Sequence, residues 1–315
     1  MRALGVNCSL TGMVLATAAL TAAMPPAEPD APLAFVDDVP ITPADLRLVA
    51  AIRGMTEAEV AARWERLLDE MIEEQLVARF LARRRTSADP IALQMQLDQI
   101  QTLIRRRGEE PGPLLQRLGL DEQALRSRLA LPLAWKTHVE RTITDAKLRE
   151  HFDAHRRELD GTRIRARHVI RTIPPGSDEA RWAAAERELA ELRQALTTGG
   201  MAFEEAARSR SDGPSRMQGG DVGFFAFQGT MPAAFAAAAF KLERGVISPP
   251  VRTPFGVHLI EVTDEQPGLL SLEDVRSEVM AHFSKTFWDE TVRSERAQGG
   301  VVIPEAPPVP QTRDQ

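Results

Sequence analysis

From Arg163 to Arg171 the chain reads Arg-Ile-Arg-Ala-Arg-His-Val-Ile-Arg. Alternation of charge and apolarity with a period of two is met by an extended strand with one wet side and one dry side. Ile164, Ala166, His168 and Ile170 then share the dry side, while Arg163, Arg165, Arg167 and Arg171 share the other. A second run, Phe255-Gly-Val-His-Leu-Ile-Glu-Val262, puts His258 in line with Ile260 and Val262. Between the two lie Gly219-Gly-Asp-Val-Gly223 and Met231-Pro-Ala-Ala-Phe235. One inward histidine is most often a hydrogen-bonded core residue. Two of them, beside a glycine turn and an apolar patch, point to a site. A metal-dependent hydrolase is a competing use of two strand histidines. No His/Cys/Asp cluster at metal spacing accompanies them, so neither metal nor cofactor is expected.

These residues resemble the parvulin family of peptidyl-prolyl cis-trans isomerases. The likeness runs in order from Ala166-Arg-His168 through Phe203-Glu-Glu-Ala-Ala-Arg-Ser-Arg-Ser-Asp212, Gly219-Gly-Asp-Val-Gly223 and Gly229-Thr-Met231. It continues through Phe235, Gly245-Val-Ile-Ser-Pro249, Thr253 and Gly256-Val-His258. Agreement in order and spacing over such a length is more specific than any single short pattern. The resemblance implies a four-stranded antiparallel sheet wrapped by helices, with a cleft on one sheet face. It implies that His168 and His258 pair in the floor of the cleft and that Thr253 bonds one of them. Met231, Phe235 and Val222 would wall a proline pocket, with Phe255 contributing to the substrate surface. A cysteine or aspartate slot near the substrate carbonyl falls at Gly213 when counted back from the double glycine. Counted forward from Phe203, Asp212 stops one residue short of it; Asp212 is the residue expected to act there.

The chemistry so implied is rotation about an X–Pro bond, whose isomers differ by about 0.5–1 kcal/mol but are separated by roughly 18–20 kcal/mol of broken amide resonance. A catalyst need only bind the twisted amide better than either planar form. Some parvulins select phosphorylated residues through basic side chains just after the first strand. Here that stretch, Arg171-Thr-Ile-Pro-Pro-Gly-Ser-Asp-Glu179, has one arginine and two acids. A phosphate needs several fixed donors, so no phosphopeptide preference is expected.

The first residues carry one charge, Arg2, before Glu28, and the apolar run Leu10–Ala23 ends in small residues ahead of Pro25-Pro26. That pattern predicts a signal peptide over 1–23 and an extracytoplasmic, periplasmic destination. If uncleaved, the same segment would anchor the chain to a membrane. The single cysteine, Cys8, lies within it, so the exported chain would carry no thiol. A net charge of −6 gives a nucleic-acid partner no electrostatic support.

Residues 33 to 160 read as helical. Start signals recur at Thr42-Pro43 with an Ile41–Leu46 staple, at Thr56 with Glu59, at Leu120-Asp121 with Leu125, and at Ile143-Thr144 with Leu148. Trp64, Leu67, Leu68, Met71, Ile72, Leu76, Phe80 and Leu81 form a wide apolar stripe. Pro132 is expected to break or kink the segment Leu125–Val139. A last helix opens at Ser271 with Asp274 and carries Val275, Val279, Phe283 and Trp288. Alone after a compact domain, it needs a partner.

The predicted fold class is therefore α+β: a parvulin-like domain inserted between an N-terminal helical, chaperone-like domain and a C-terminal helix that packs on it. The expected ranges are 1–23 signal peptide, 24–160 helical domain, 161–264 isomerase domain, 265–298 completing helix and 299–315 disordered tail. This layout resembles bacterial extracytoplasmic foldases of the SurA and PrsA kind. It implies unfolded or nascent exported polypeptides with X–Pro bonds as partners, and isomerase activity alongside holding of clients. The alternative is a non-catalytic chaperone whose parvulin domain only binds peptide.

Overall fold

The computed structural model describes residues 31–304, apart from 62, 107 and 118–121. The predicted presequence and the Leu120-Asp121 staple lie outside the described residues. The described residues open with β1 (Ala34–Val36) and β2 (Val39–Ile41), then α1 (Pro43–Ile52), α2 (Glu57–Ala61), α3 (Trp64–Arg83), α4 (Pro90–Arg106), α5 (Pro111–Arg117) and α6 (Glu122–Thr142). There follow α7 (Asp145–Ala154), α8 (Arg156–Leu159), β3 (Arg163–Thr172), α9 (Glu179–Thr197), α10 (Phe203–Arg210), β4 (Asp221–Ala226) and α11 (Ala233–Ala239). β5 (Val251–Thr253), β6 (Gly256–Gln266), α12 (Arg276–Ala297) and β7 (Val301–Val302) complete it. Two compact bodies result, one of residues up to Thr144 with those from Ala281, the other Asp145–Met280.

The first body is helical, as its apolar spacing predicts, with caps where the sequence places them. Thr42 Oγ1 accepts from the Asp45 amide while the Asp45 carboxylate accepts from the Thr42 amide, and Thr56 and Glu59 exchange the same pair. Each such cap is worth roughly 1 kcal/mol. The stripe on α3 is buried from Leu67 to Leu81. Across it lie Trp135 and His138 of α6 and Phe287 of α12, each in ring contact with Phe80. Trp135 also donates to Ser284 Oγ at 3.0 Å. The C-terminal helix thus packs on α3 and α6, closing the helical body from both chain ends.

Three expectations are corrected here. Residues 34–41 form a β-hairpin, because Asp37 takes a left-handed φ of 52° and turns the chain back so that Ala34 pairs with Ile41. Pro132 does not break α6, which runs through it from Glu122 to Thr142. Burial of Leu125 on one side of it and of Ala134, Trp135 and Val139 on the other offsets the roughly 3 kcal/mol that an interior proline costs. The expected disordered tail begins with structure: β-branched Val301 and Val302 pair antiparallel with Val36 and Phe35, giving a sheet in the order β2-β1-β7. Residues 305–315 lie outside the described residues.

The second body holds an antiparallel sheet in the order β4-β3-β6-β5. One face carries Val169, Val257 and Leu259 against Leu189 of α9 and Phe203 of α10; the other carries Ile164, Ala166, Ile260 and Val262 against Phe235 and Ala239 of α11. The contact boundary falls at Thr144, ahead of the expected 160, because the connecting helices are tied to the sheet body. Arg157 donates to the carbonyls of Phe240 and Leu242 and pairs with Glu265. Leu270 N donates to Asp160 O, extending the same body past β6.

Candidate functional site

β3 and β6 run side by side, with His168 opposite Ile260 and Ile170 opposite His258. The register makes the two histidines diagonal neighbours on one face. Their Nδ1 atoms are 3.1 Å apart and the rings stack at 5.3 Å, 25° from parallel. His168 Nε2 lies 3.0 Å from Ser215 Oγ, and His258 Nε2 lies 2.8 Å from Thr253 Oγ1. All four ring nitrogens are therefore engaged, in a line Ser215–His168–His258–Thr253.

That line is self-consistent in two directions. Thr253 Oγ1 accepts from the Phe255 amide and is 3.3 Å from Gly256 O. If its proton goes to His258, each imidazole passes one on and His168 donates to Ser215. If its proton goes to Gly256 O, every bond reverses and Ser215 donates to His168. Both arrangements keep two neutral rings with one proton between the facing nitrogens.

Burial enforces that neutrality. His168 is pushed down to about 4 by burial, and His258 to about 3 by burial and then by the charge its neighbour would carry. Because the folded state takes up these protons less readily than the unfolded chain, the stability they confer is complete above the ordinary histidine value near 6.5. It is lost as pH falls toward 4, at about 1.4 kcal/mol per pH unit for each histidine. Urea unfolding of the sheet body at pH 7, 6, 5 and 4 is expected to show this slope, and His168→Gln to reduce it. A flat profile between pH 6 and 4 would contradict buried neutral rings.

The apolar wall is Phe235, buried under 2% exposed, with its ring edge-on to both imidazoles at 5.8 and 5.4 Å. Met231 and Val222, half-buried, pack in the same cluster. Phe255 stands at the turn after Thr253, 62% exposed. His168, His258, Thr253 and Phe235 are thus in mutual contact, Met231 and Val222 pack on the Phe235 cluster, and Phe255 lies beside Thr253. Val257 faces the opposite cluster with Val169 and Leu259.

Asp212 is placed differently. Its carboxylate accepts from Arg171 Nη1 and from the Thr172 amide, both at 3.0 Å, and is spent on the end of β3. Of the two alternatives for the slot, Gly213 is the one against the histidine: a Cβ there would stand 3.3 Å from His168 Nε2 and 2.8 Å from Ile170 Cγ2. The polar contact comes instead from Ser215, in the short 3-10 turn Pro214–Gln218, which sequence reasoning missed. Its signal was present in Gly213-Pro214-Ser215, a proline-initiated turn that aims a hydroxyl back at the strand. Phe225 was also missed; it is buried on β4, 5.8 Å from Phe235. Gly220 fixes the same wall, since at its φ of +84° a Cβ would lie 2.3 Å from His168 O, where Gly220 O accepts from His168 N.

Residues 168–264 match the family profile described as Rotamase, the PPIC-type PPIASE domain. The chain is similar to the Foldase protein PrsA 1 of Bacillus cereus, 33% identical over 147 residues that cover 46% of this chain and 44% of that protein. It is similar to the Chaperone SurA of Alkalilimnicola ehrlichii, 25% identical over 279 residues, 82% of this chain and 63% of that one. The crystal structure of the peptidylprolyl isomerase PrsA from Bacillus anthracis aligns with 76% of this chain and 100% of its own, at 22% identity and a TM-score of 0.43. The chain thus spans less than half the length of the PrsA relative and under two thirds of the SurA relative.

Proposed function

We propose, from the premise that residues 168–264 are a PPIC-type rotamase domain of the parvulin kind, that this chain catalyses cis-trans isomerisation of X–Pro bonds in unfolded exported polypeptides. The observation that carries the reading is the line Ser215–His168–His258–Thr253 with Phe235 edge-on to both rings. The proline ring would seat against Phe235, Met231 and Val222. A dry apolar seat disfavours the charge-separated planar amide relative to the twisted one, and each 1.4 kcal/mol of that preference is tenfold in rate. The two histidines, neutral and engaged at every nitrogen, act as a rigid floor and a source of hydrogen-bond polarity. They are not a general acid and base, because no covalent bond is made or broken. Phe255 would contact the residues beside the proline. Asp212, through Arg171, would orient the end of β3 at a remove from the substrate carbonyl.

Arg171 bears on selectivity. Its guanidinium is ion-paired with both Glu188 and Asp212, so it offers a phosphate no free fork. Phosphorylating the residue before proline is expected to leave kcat/KM unchanged or lower, as measured on paired peptides by NMR exchange. A gain of about tenfold, what one charge-assisted bond supplies, would contradict this.

The helical body would hold clients, and export would follow from the apolar leader at residues 10–23. Among the described residues no helix is long and apolar enough to cross a membrane. A binding-only parvulin domain is the rival reading. It is tested by running peptide isomerisation beside suppression of aggregation: suppression by a protein inert toward X–Pro peptides would favour the rival.

A further inference from the structure

The sheet face opposite the histidines carries a cavity of about 410 Å³, a size within the ~300–1,000 Å³ typical of ligand sites. Its apolar walls are Leu196 at the end of α9, Met201, Phe203 at the start of α10, and Ile247. Two arginines enter it and they differ in one respect. Arg167 is matched by two carboxylates, Glu261 at 2.6 Å and Glu204, and lies over the Phe203 ring. Arg193 spends only Nε, on Ile247 O at 3.2 Å; among the described residues no carboxylate lies within ion-pair distance of it. The cavity therefore presents one uncompensated guanidinium beside an apolar wall.

We propose that this cavity binds the free C-terminal carboxylate of a polypeptide that ends in an apolar residue. The carboxylate would take the two outer nitrogens of Arg193, the planar fork that suits a carboxylate bidentately, and the last side chain would enter among Leu196, Met201 and Phe203. Thr197, Glu261 and Arg167 interleave polar groups with the apolar ones, which suits a peptide backbone better than a bare hydrocarbon tail. The site shares no residue with the histidine line. The full chain could thus hold one part of a client while isomerising another, raising the local concentration of its prolyl bonds.

The test uses the full chain and a fluorescein-labelled, proline-free hexapeptide ending in Leu-Phe, read by fluorescence anisotropy. The free acid is expected to bind at least about tenfold more tightly than the same peptide as its C-terminal amide. Arg193→Gln and Met201→Glu are each expected to erase that difference and to leave isomerisation of a short X–Pro peptide unchanged. Equal binding of acid and amide by the wild type overturns the proposal whatever the variants do. So does octanoate displacing the peptide as well as the unlabelled acid peptide does, since the cavity would then be a fatty-acid site. Because the probe contains no proline, failure here leaves the prolyl site untouched.

Discussion

Phe235→Ala is expected to lose at least about 3 kcal/mol of stability from the sheet body and nearly all of the proposed isomerase activity. The side chain is under 2% exposed, sits between the imidazoles and Phe225, and forms the wall against which a proline ring would rest. Deleting a buried phenyl costs about 3–5 kcal/mol in transfer and cavity terms. Stability loss alone could silence an enzyme, so Phe235→Leu separates the causes. Leucine keeps most of the volume at a cost of roughly 1.5 kcal/mol but gives up the flat edge facing both rings. The leucine variant should therefore remain folded at 25 °C, by urea unfolding, while kcat/KM falls about tenfold or more. A leucine variant with wild-type kcat/KM would show that Phe235 is a core residue only.

Glu295→Ala is expected to cost about 3–5 kcal/mol in the helical body, the range for removing one member of a buried ion pair. The carboxylate is 2% exposed; it accepts from Arg79 Nε at 3.0 Å and pairs with Arg83. Arg79 in turn holds Asp37 at 2.8 Å and the carbonyls of Glu295 and Gly299. One guanidinium so ties the β1–β2 turn, the end of α12 and the approach to β7 to α3. Glu295→Gln, which keeps an acceptor and loses the charge, should cost less than half as much. Replacing Arg79 and Glu295 together by Met and Leu should recover most of the loss, because no charge is left buried. Denaturant midpoints for the three variants check the order; an alanine variant within 1 kcal/mol of wild type would mean the pair is dispensable.

The parts legible from sequence were those governed by short-range periodicity. Alternation in Ile164–Ile170 fixed which side of β3 His168 takes, and the same rule placed His258. Apolar spacing marked α3, and the caps at Thr42, Thr56 and Ser271 formed as read, the last with the Ser271 amide donating to Asp274 at 2.8 Å. What was not legible depended on where remote segments return. β7 is two valines that become a strand only because Phe35 and Val36 present an open edge to them. Pro132 reads as a breaker locally, and its helix survives on the packing of Trp135 and Val139. Within the site, counting along the chain could not say that Asp212 would be drawn off by Arg171, nor that Ser215 would swing under His168. One residue of turn geometry decides both.

In the proposed mechanism, neutral paired histidines and a dry apolar seat bind a prolyl amide midway through rotation. The direct measurement is exchange spectroscopy at pH 7.5 on a short Ala-Pro peptide, comparing the full wild-type chain with His168→Ala and Phe235→Leu. Cis-trans exchange should be accelerated strongly by catalytic amounts of wild type, and by each variant at least about tenfold less. Wild-type acceleration retained in both folded variants, or no acceleration by the wild type at all, would contradict it.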